Sequence, residues 1–284
     1  MVGDAGAGVT LASGRTFYKM SGSGNDFIMV EAMREGPGRL ASAEVIKAIC
    51  ARATGVGADG IVFLEPSEVA DFRMTYLNSD GSRAALCGNA SLCSARLASE
   101  LGIVKVPEFR IETEAGVLGA RLVGGAAEVD LQPVTDVRPR LPLRRDPGEG
   151  WIGFAQAGVP HLTVRVADVL AVDVVGRGRP LRHEPSLAAG ANVNFVSPDD
   201  AGGWHIRTYE RGVEGETLAC GTGSVATAIL LADAGEAADS VRLRTRSGLT
   251  HVVRVTRSSG GWLPSLSGEA RLVFEGRFGE LEGL

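Results

Sequence analysis

The sequence is short of positive charge, of histidine, of aromatic side chains and of long apolar runs. It sets 29 lysines and arginines against 34 acidic side chains, a formal net charge of -5. That balance disfavours a nucleic-acid or anionic-membrane partner, because both need a basic surface. Small molecules are the expected partners. No apolar run approaches the roughly 18–20 residues that span a bilayer. The opening MVGDAGAGVTLASG has neither the basic region nor the apolar core of a signal peptide. A cytoplasmic protein whose first dozen or so residues are a loose tail is therefore expected. Only four cysteines occur, Cys50, Cys87, Cys93 and Cys220, with no Cys-x-x-Cys and no Cys/His cluster. Neither a disulfide framework nor a metal site is indicated. Cys87 and Cys93 stand roughly 240° apart around a helix, so they share no face.

What is present reads as an ordinary globular chain. With 284 residues, 44% hydrophobic and 22% charged, it fits one large domain or two of about 140 residues each. Helical patterns are few: SAEVIKAICARA (42–53), SLCSARLASELG (91–102) and SVATAILLADAG (224–235), the last two ending in glycine. Cys50 falls among Val45, Ile46 and Ile49 and is expected to be a buried structural thiol. Most other segments alternate or are β-branched, among them GIVFLE, DFRMTYLN, HLTVRV, VNFVS, WHIRTYE and LTHVVRVTR. Many short strands with one strong helix per half indicate an α+β fold.

A repeat underlies this order. A shift of 133 residues lays Thr75-Tyr76 on Thr208-Tyr209, Cys87-Gly88 on Cys220-Gly221, Ser91 on Ser224 and Ala95 on Ala228. A shift of 134 lays SGSGNDFIMV on AQAGVPHLTV with only a glycine and a valine in common. The chain thus reads as two halves of one ancestral fold about a pseudo-two-fold axis, with one Cys-Gly helix start in each. The expected division is 15–131 and 132–272, with 273–284 returning to the first half. The proline- and arginine-rich stretch 131–150 is either the linker or a surface loop of the second half.

A cysteine at a helix start sits among unpaired backbone N–H groups at the positive end of the macrodipole. Its pKa is expected to fall from about 8.5 toward neutrality. The N–H groups of Gly88-Asn89 and Gly221-Thr222 also form a nest for a carboxylate. If both helices aim at one cleft, two thiols can face opposite sides of a carbon next to a held carboxylate. One thiolate removes a proton and the other thiol returns one to the opposite face, which inverts the stereocentre with no cofactor. Cys93, opposite Ala226 in the repeat, is expected in the core.

The segments KMSGSGNDF, GVGADG, NSDGSRAALCGN, GVPH, NVNF and ERGVEGETLACGTG, in this order, resemble the diaminopimelate epimerase family from Lys19 onward. The resemblance implies two pseudo-symmetric α+β domains, each a curved sheet wrapped around a central helix, with the active site in the cleft between them. It implies pyridoxal-phosphate-independent epimerisation of LL- to meso-diaminopimelate, in lysine and peptidoglycan precursor synthesis, by a homodimer. Cys87 and Cys220 correspond to the acid/base pair, and His161 and Glu210 to positions near the reacting centre. Gly88, Asn89, Gly221 and Thr222 would hold the reacting carboxylate. Asn25, Asn78, Asn192 and Arg211 would form the polar shell around the distal amino-acid group, and Glu210, which also binds substrate, can receive an ammonium. GVGADG reads as a tight turn near the cleft, and His183, His205 and His251 match nothing.

Some positions depart from the family pattern. Ala90 and Leu92 replace a glycine and an arginine, Ser21 a histidine, and Val159 an asparagine. The change at Val159 removes an amide from the expected distal shell and motivates a second reading, a racemase of another amino acid such as histidine. A non-catalytic carboxylate-binding protein on the same scaffold is a third.

Overall fold

The computed structural model describes residues 14–279. The expected N-terminal tail, and residues 280–284 of the expected C-terminal return, lie outside the described residues.

Two halves repeat one order of elements. The first runs β1 (Thr16–Gly22), β2 (Asn25–Glu31), α1 (Ala43–Cys50), β3 (Gly60–Glu65), β4 (Phe72–Asn78), α2 (Gly88–Glu100), β5 (Glu108–Thr113), β6 (Gly116–Val123) and β7 (Ala126–Asp130). After a two-residue strand β8 (Val137–Arg138), the second runs β9 (Glu149–Ala157), β10 (Val159–Val166), α3 (Val174–Arg182), β11 (Asn192–Pro198) and β12 (Trp204–Glu210). It continues with a short β13 (Gly215–Thr217), α4 (Gly221–Asp233), β14 (Ser240–Arg244), β15 (Thr250–Ser258) and β16 (Gly261–Ser267). The last strand is β17 (Arg271–Arg277).

The pairing senses match strand for strand. In the first half β1–β2 is antiparallel, β2–β3 parallel, β3–β4 antiparallel, β4–β5 parallel, and β5–β6 and β6–β7 antiparallel. In the second, β9–β10, β10–β11, β11–β12, β12–β14, β14–β15 and β15–β16 repeat that series. Each parallel step needs a crossover, and the four helices supply them. The halves join where β7 pairs with β16, Leu266 opposite Val129, and β17 pairs antiparallel with β1.

Each sheet curls around its second helix. Ala90, Leu92, Cys93, Ala95 and Ala98 on α2 are all 0% exposed, as are Ala226, Ala228, Ile229, Leu230 and Leu231 on α4. A helix buried over most of its surface must carry mainly small or apolar residues, and on α2 Arg96 and Glu100 reach solvent, where they pair with each other. The serines there are satisfied locally: Ser91 Oγ donates to the Cys87 carbonyl at 3.0 Å and Ser94 Oγ to that of Ala90 at 2.8 Å. One apolar core surrounds α2 and α4 and runs through both halves. Two smaller cores lie on the outer faces, under α1 and under α3.

The predicted helices at 91–102 and 224–235 start three residues earlier, because Cys87 and Cys220 are themselves the N-caps. Helix α3 escapes the periodicity reading. Its VVGRGRPLR holds two glycines and a proline, all poor helix formers. Tertiary contact decides it: a Cβ on Gly178 would stand 2.6 Å from Tyr209 Cβ, so only glycine lets α3 lie this close to β12. Strand β16 was equally hidden, since Pro264 breaks its pattern.

Candidate functional site

The two helix starts are near-copies. Cys87 caps α2 with φ -132 and ψ 114, and Cys220 caps α4 with φ -137 and ψ 110. Neither side chain caps its own helix, so the first-turn N–H groups stay free to bind an anion. The two starts meet. A Cβ built on Gly221 would stand 3.8 Å from Gly88 Cα, and a Cβ on either glycine would stand 3.0 Å from Leu266 Cδ2.

A cavity of about 420 Å³ opens where they meet, lined by Cys87 and Cys220 with Gly88, Asn89, Gly221 and Thr222. Asn25, Asn78, Asn192 and Glu210 complete its polar side, and Val159, Tyr76 and Leu131 are among its apolar walls. A wider and more open depression of about 600 Å³, beside Arg15, Glu31 and Leu101, has neither thiol nor helix start. The convergence of free N–H groups and thiols therefore makes the enclosed cleft the candidate site.

Two of the expected residues stand apart from it. His161 is 0% exposed and reaches the site only through a neighbour. Arg211 does not line the cavity; its Nη1 donates to the Ala189 carbonyl at 3.0 Å, and its backbone N–H donates to Asn192 Oδ1 at 2.8 Å. Asn78 lines the cavity while its amide also donates to Ser82 Oγ at 3.0 Å.

The expected fall in thiol pKa is not what the structure gives. Burial pushes Cys87 up to about 11 and Cys220 up to about 12, with the Glu210 carboxylate adding to the rise at Cys220. The helix starts do oppose this. The N–H groups of Ala90 and Asn89 pull Cys87 down, and the Thr222 hydroxyl and Gly223 N–H pull Cys220 down. Desolvation of a thiolate outweighs a few partial charges. Cys87 keeps part of its surface open to the cleft, so its shift is the more readily relieved. Glu210 is itself raised, first by burial and then by the nearby Asp59 charge.

A hydrogen-bond chain stands behind Cys220. Asn194 Nδ2 donates to the Leu162 carbonyl at 3.0 Å and faces His161 Nδ1 at 3.3 Å. A carbonyl only accepts, so that nitrogen is fixed as the amide NH₂ and His161 Nδ1 must accept. Burial, and then the Arg211 charge, lower the His161 pKa to about 3, so the ring is neutral with its proton on Nε2. Nε2 then donates to Thr222 Oγ1 at 3.0 Å, which leaves the Thr222 hydroxyl to donate toward Cys220 Sγ at 3.6 Å. A Cβ on Gly223 would stand 2.4 Å from Asn194 Oδ1, so α4 could not approach this chain with any larger residue there.

The first half has a different support, in which Lys19, Asp26, Arg52 and Asp59, to which the sequence reading gave no role, stand behind Asn25 and Asn89. Lys19, 8% exposed, binds Asp26 Oδ2 at 2.6 Å and the Gly57 carbonyl. Arg52 spans Asp26 at 2.8 Å and Asp59 at 2.6 Å. Asp59 Oδ2 accepts from Asn25 Nδ2 at 2.9 Å, and Asn25 Oδ1 from Asn89 Nδ2 at 2.8 Å. The only trace in the sequence was that Lys19, Asp26 and Asp59 fall in the quoted segments KMSGSGNDF and GVGADG. The other cysteines are structural in setting: Cys50 is 4% exposed with its thiol pushed up to about 11, and Cys93 is 0% exposed and also raised by burial. His251 is buried too, its Nδ1 against Ser224 Oγ at 2.8 Å.

Comparison with known proteins agrees with the repeat. The sequence profile of the diaminopimelate epimerase family matches residues 17–135 and again 153–272. A diaminopimelate epimerase of Gemmatimonas aurantiaca is 47% identical over 280 residues, covering 95% of this chain and 100% of that one. One from Aquifex aeolicus is 40% identical, covering 93% and 98%. Among solved structures, a PhzF-family phenazine biosynthesis protein of Bacillus anthracis superposes with a TM-score of 0.73 at 18% identity, covering 93% of this chain and 98% of that one. A hydroxyproline epimerase of Agrobacterium vitis, solved with trans-4-hydroxy-L-proline, gives 0.69 at 18% identity, covering 97% and 95%. These remote likenesses establish the two-domain fold.

Proposed function

The chain belongs to the diaminopimelate epimerase family, and from that membership we propose that it interconverts LL- and meso-diaminopimelate for lysine and peptidoglycan precursor synthesis. The observation that carries the reading is the pair of cysteines at matching N-cap positions of two helices whose starts meet in one cavity. The substrate α-carboxylate takes the N–H groups of Gly88, Asn89, Gly221 and Thr222 from both helix starts. Cys87 and Cys220 then face the α-carbon from opposite sides. One thiolate takes the α-proton; the other thiol donates its proton to the opposite face and is left as the thiolate. Both proton-transfer groups come from the chain, and no cofactor is required.

The raised thiol pKa values have a function in this scheme. A thiolate is costly in the unliganded cleft, and the α-ammonium of a bound amino acid supplies the positive charge that favours it. Deprotonation is thereby coupled to binding. Carboxylate charge that grows as the proton leaves is met by the two helix starts, which need no reorganisation. Glu210, lining the cavity with a raised pKa, receives an ammonium. His161 acts on Cys220 through Thr222, as a positioning residue. Asn25, Asn78 and Asn192 read the polar groups of the substrate's distal end; Arg211 joins them after a side-chain rotation away from Ala189.

We divide the domains at 15–131 and 132–272, with the C-terminal strand returning to the first. A cytoplasmic location fits the acidic composition, and among the described residues no helix is long and apolar enough to cross a membrane. A homodimer is supported by β17, which among the described residues pairs only with β1 and leaves Leu272, Val273 and Phe274 40%, 45% and 46% exposed.

The test is α-proton exchange in deuterated water over a panel of amino acids. LL-diaminopimelate should exchange, and Cys87→Ala and Cys220→Ala should each abolish turnover. Because Val159 puts an apolar side chain in the cleft wall, the panel includes histidine and proline. Exchange of one of these with none of diaminopimelate would favour the second reading, a racemase of another amino acid. Tight binding without any exchange would favour a carboxylate binder.

A further inference from the structure

The Asn89 side chain is 2% exposed, and its Oδ1 has no hydrogen-bond partner. A buried carbonyl oxygen left unpaired is costly, so its orientation needs a cause. The oxygen lies in the gap between the helix starts, 3.4 Å from the position of a Cβ on Gly221. The amide could satisfy other partners by turning over, and what prevents this can be followed residue by residue. The Asp59 carboxylate can only accept, so Asn25 must turn its NH₂ toward it, at 2.9 Å. Asn25 Oδ1 then faces Asn89 and can only accept, at 2.8 Å, so Asn89 must turn its own NH₂ away from the cleft. One carboxylate at the rim polarises two amides in series. Asp59 is held in turn by Arg52 at 2.6 Å, and its backbone is fixed by N–H···O bonds to Asp26 and from Ser79.

We propose that Asp59 is a positioning residue for the epimerisation: acting through Asn25, it holds the Asn89 carbonyl oxygen toward the junction of the two helix starts, to accept an N–H of the substrate α-ammonium. This assignment rests on the reading of the cleft as an amino-acid epimerase site. It fits the ligand's own geometry. An α-ammonium lies beside its carboxylate, and Asn89 offers both a backbone N–H to the one and a side-chain oxygen to the other. The Asp59 charge also contributes to the raised pKa of Glu210 and of Cys87, so the rim carboxylate is felt in the cleft. The second half has no counterpart, because Thr222 stands where Asn89 does and carries a hydroxyl. The repeat has thus diverged into an amide chain behind one thiol and a hydroxyl chain behind the other.

The experiment compares Asp59→Leu, Asp59→Asn and Arg52→Leu in exchange assays with LL-diaminopimelate, alongside the side-chain amide NMR signals of Asn25 and Asn89. Asp59→Leu removes the acceptor and should lower kcat/KM at least tenfold, mainly through KM. Asp59→Asn keeps an acceptor oxygen, held toward Asn25 because the Asp26 N–H donates to the same position at 3.2 Å, and should recover most of that loss. Arg52→Leu removes the ion pairs but not the acceptor and should stay within about threefold of wild type. A purely structural Asp59 would give equal losses in Asp59→Leu and Arg52→Leu, carried by kcat at unchanged KM, and would overturn the proposal. If the wild type exchanges no diaminopimelate, the functional reading fails and the NMR arm decides alone. Movement of both amide signals in Asp59→Leu but not in Arg52→Leu sustains the relay, and unmoved signals refute it.

Discussion

Replacing Thr222 by valine keeps the shape of the side chain and removes one hydroxyl, so it isolates the chain behind Cys220. In the native site that hydroxyl receives the His161 proton at 3.0 Å and donates toward Cys220 Sγ at 3.6 Å. A hydrogen bond to a charged acceptor contributes about 1.5–3 kcal/mol, and the long sulfur contact argues for the lower end. A loss of about 1.5 kcal/mol lowers the thiolate fraction at fixed pH roughly tenfold. The assay is iodoacetamide labelling followed by peptide mapping, with Cys87 as the internal reference. In Thr222→Val, Cys220 should label roughly tenfold more slowly at pH 8, while Cys87 keeps its native rate and Thr222→Ser labels like wild type. The same variant strands His161 Nε2–H in a buried site and should lose about 1–3 kcal/mol of stability. Wild-type labelling of Cys220 in Thr222→Val would refute the argued orientation of the chain.

Two further outcomes follow from buried charge. His161 and His251 have folded pKa values lowered by burial to about 3 and about 4, below the ordinary unfolded value of about 6.5. The unfolded chain therefore binds more protons than the folded one as pH falls below that value. Stability is full above it and is lost on acidification toward the folded values, on the order of 2 kcal/mol per histidine at pH 5; urea unfolding at pH 7 and pH 5 should show the drop, and His251→Gln should reduce it. Glu128, 2% exposed, is held by Arg121, Arg254 and Ser265 where β7 of the first half meets β16 of the second. Replacing it in Glu128→Ala removes the acceptor shared by Arg121, Arg254 and Ser265, while Arg121 keeps Asp130 and Arg254 is half exposed, so the loss should be roughly 1–3 kcal/mol, and a melting temperature within a degree of wild type would contradict that role.

Much of this architecture is present in the linear pattern, because local chemistry repeats. Cys-Gly before a small-residue helix, twice at a spacing of 133, identified both helix starts, and alternating apolar segments marked most strands. The helix boundaries were off by a turn because a cysteine is an unusual N-cap with no capping hydrogen bond. Helix α3 and strand β16 were invisible because glycine and proline argue locally against them and only packing against Tyr209 or pairing with β7 overrides that. Most expected site residues do line one cleft, yet His161 and Arg211 do not.

By itself the sequence determined the fold class, the two-fold repeat and the pairing of two thiols with two helix starts, since each follows from residue type and spacing. Tertiary structure alone decided the electrostatics. Whether a helix start lowers a thiol's pKa depends on how much protein surrounds it, and here burial wins at both Cys87 and Cys220. Tertiary structure also decided which polar groups support each thiol. Lys19, Arg52 and Asp59 on one side, and His161, Asn194 and Thr222 on the other, are far apart in the chain and meet only when the sheets close around α2 and α4.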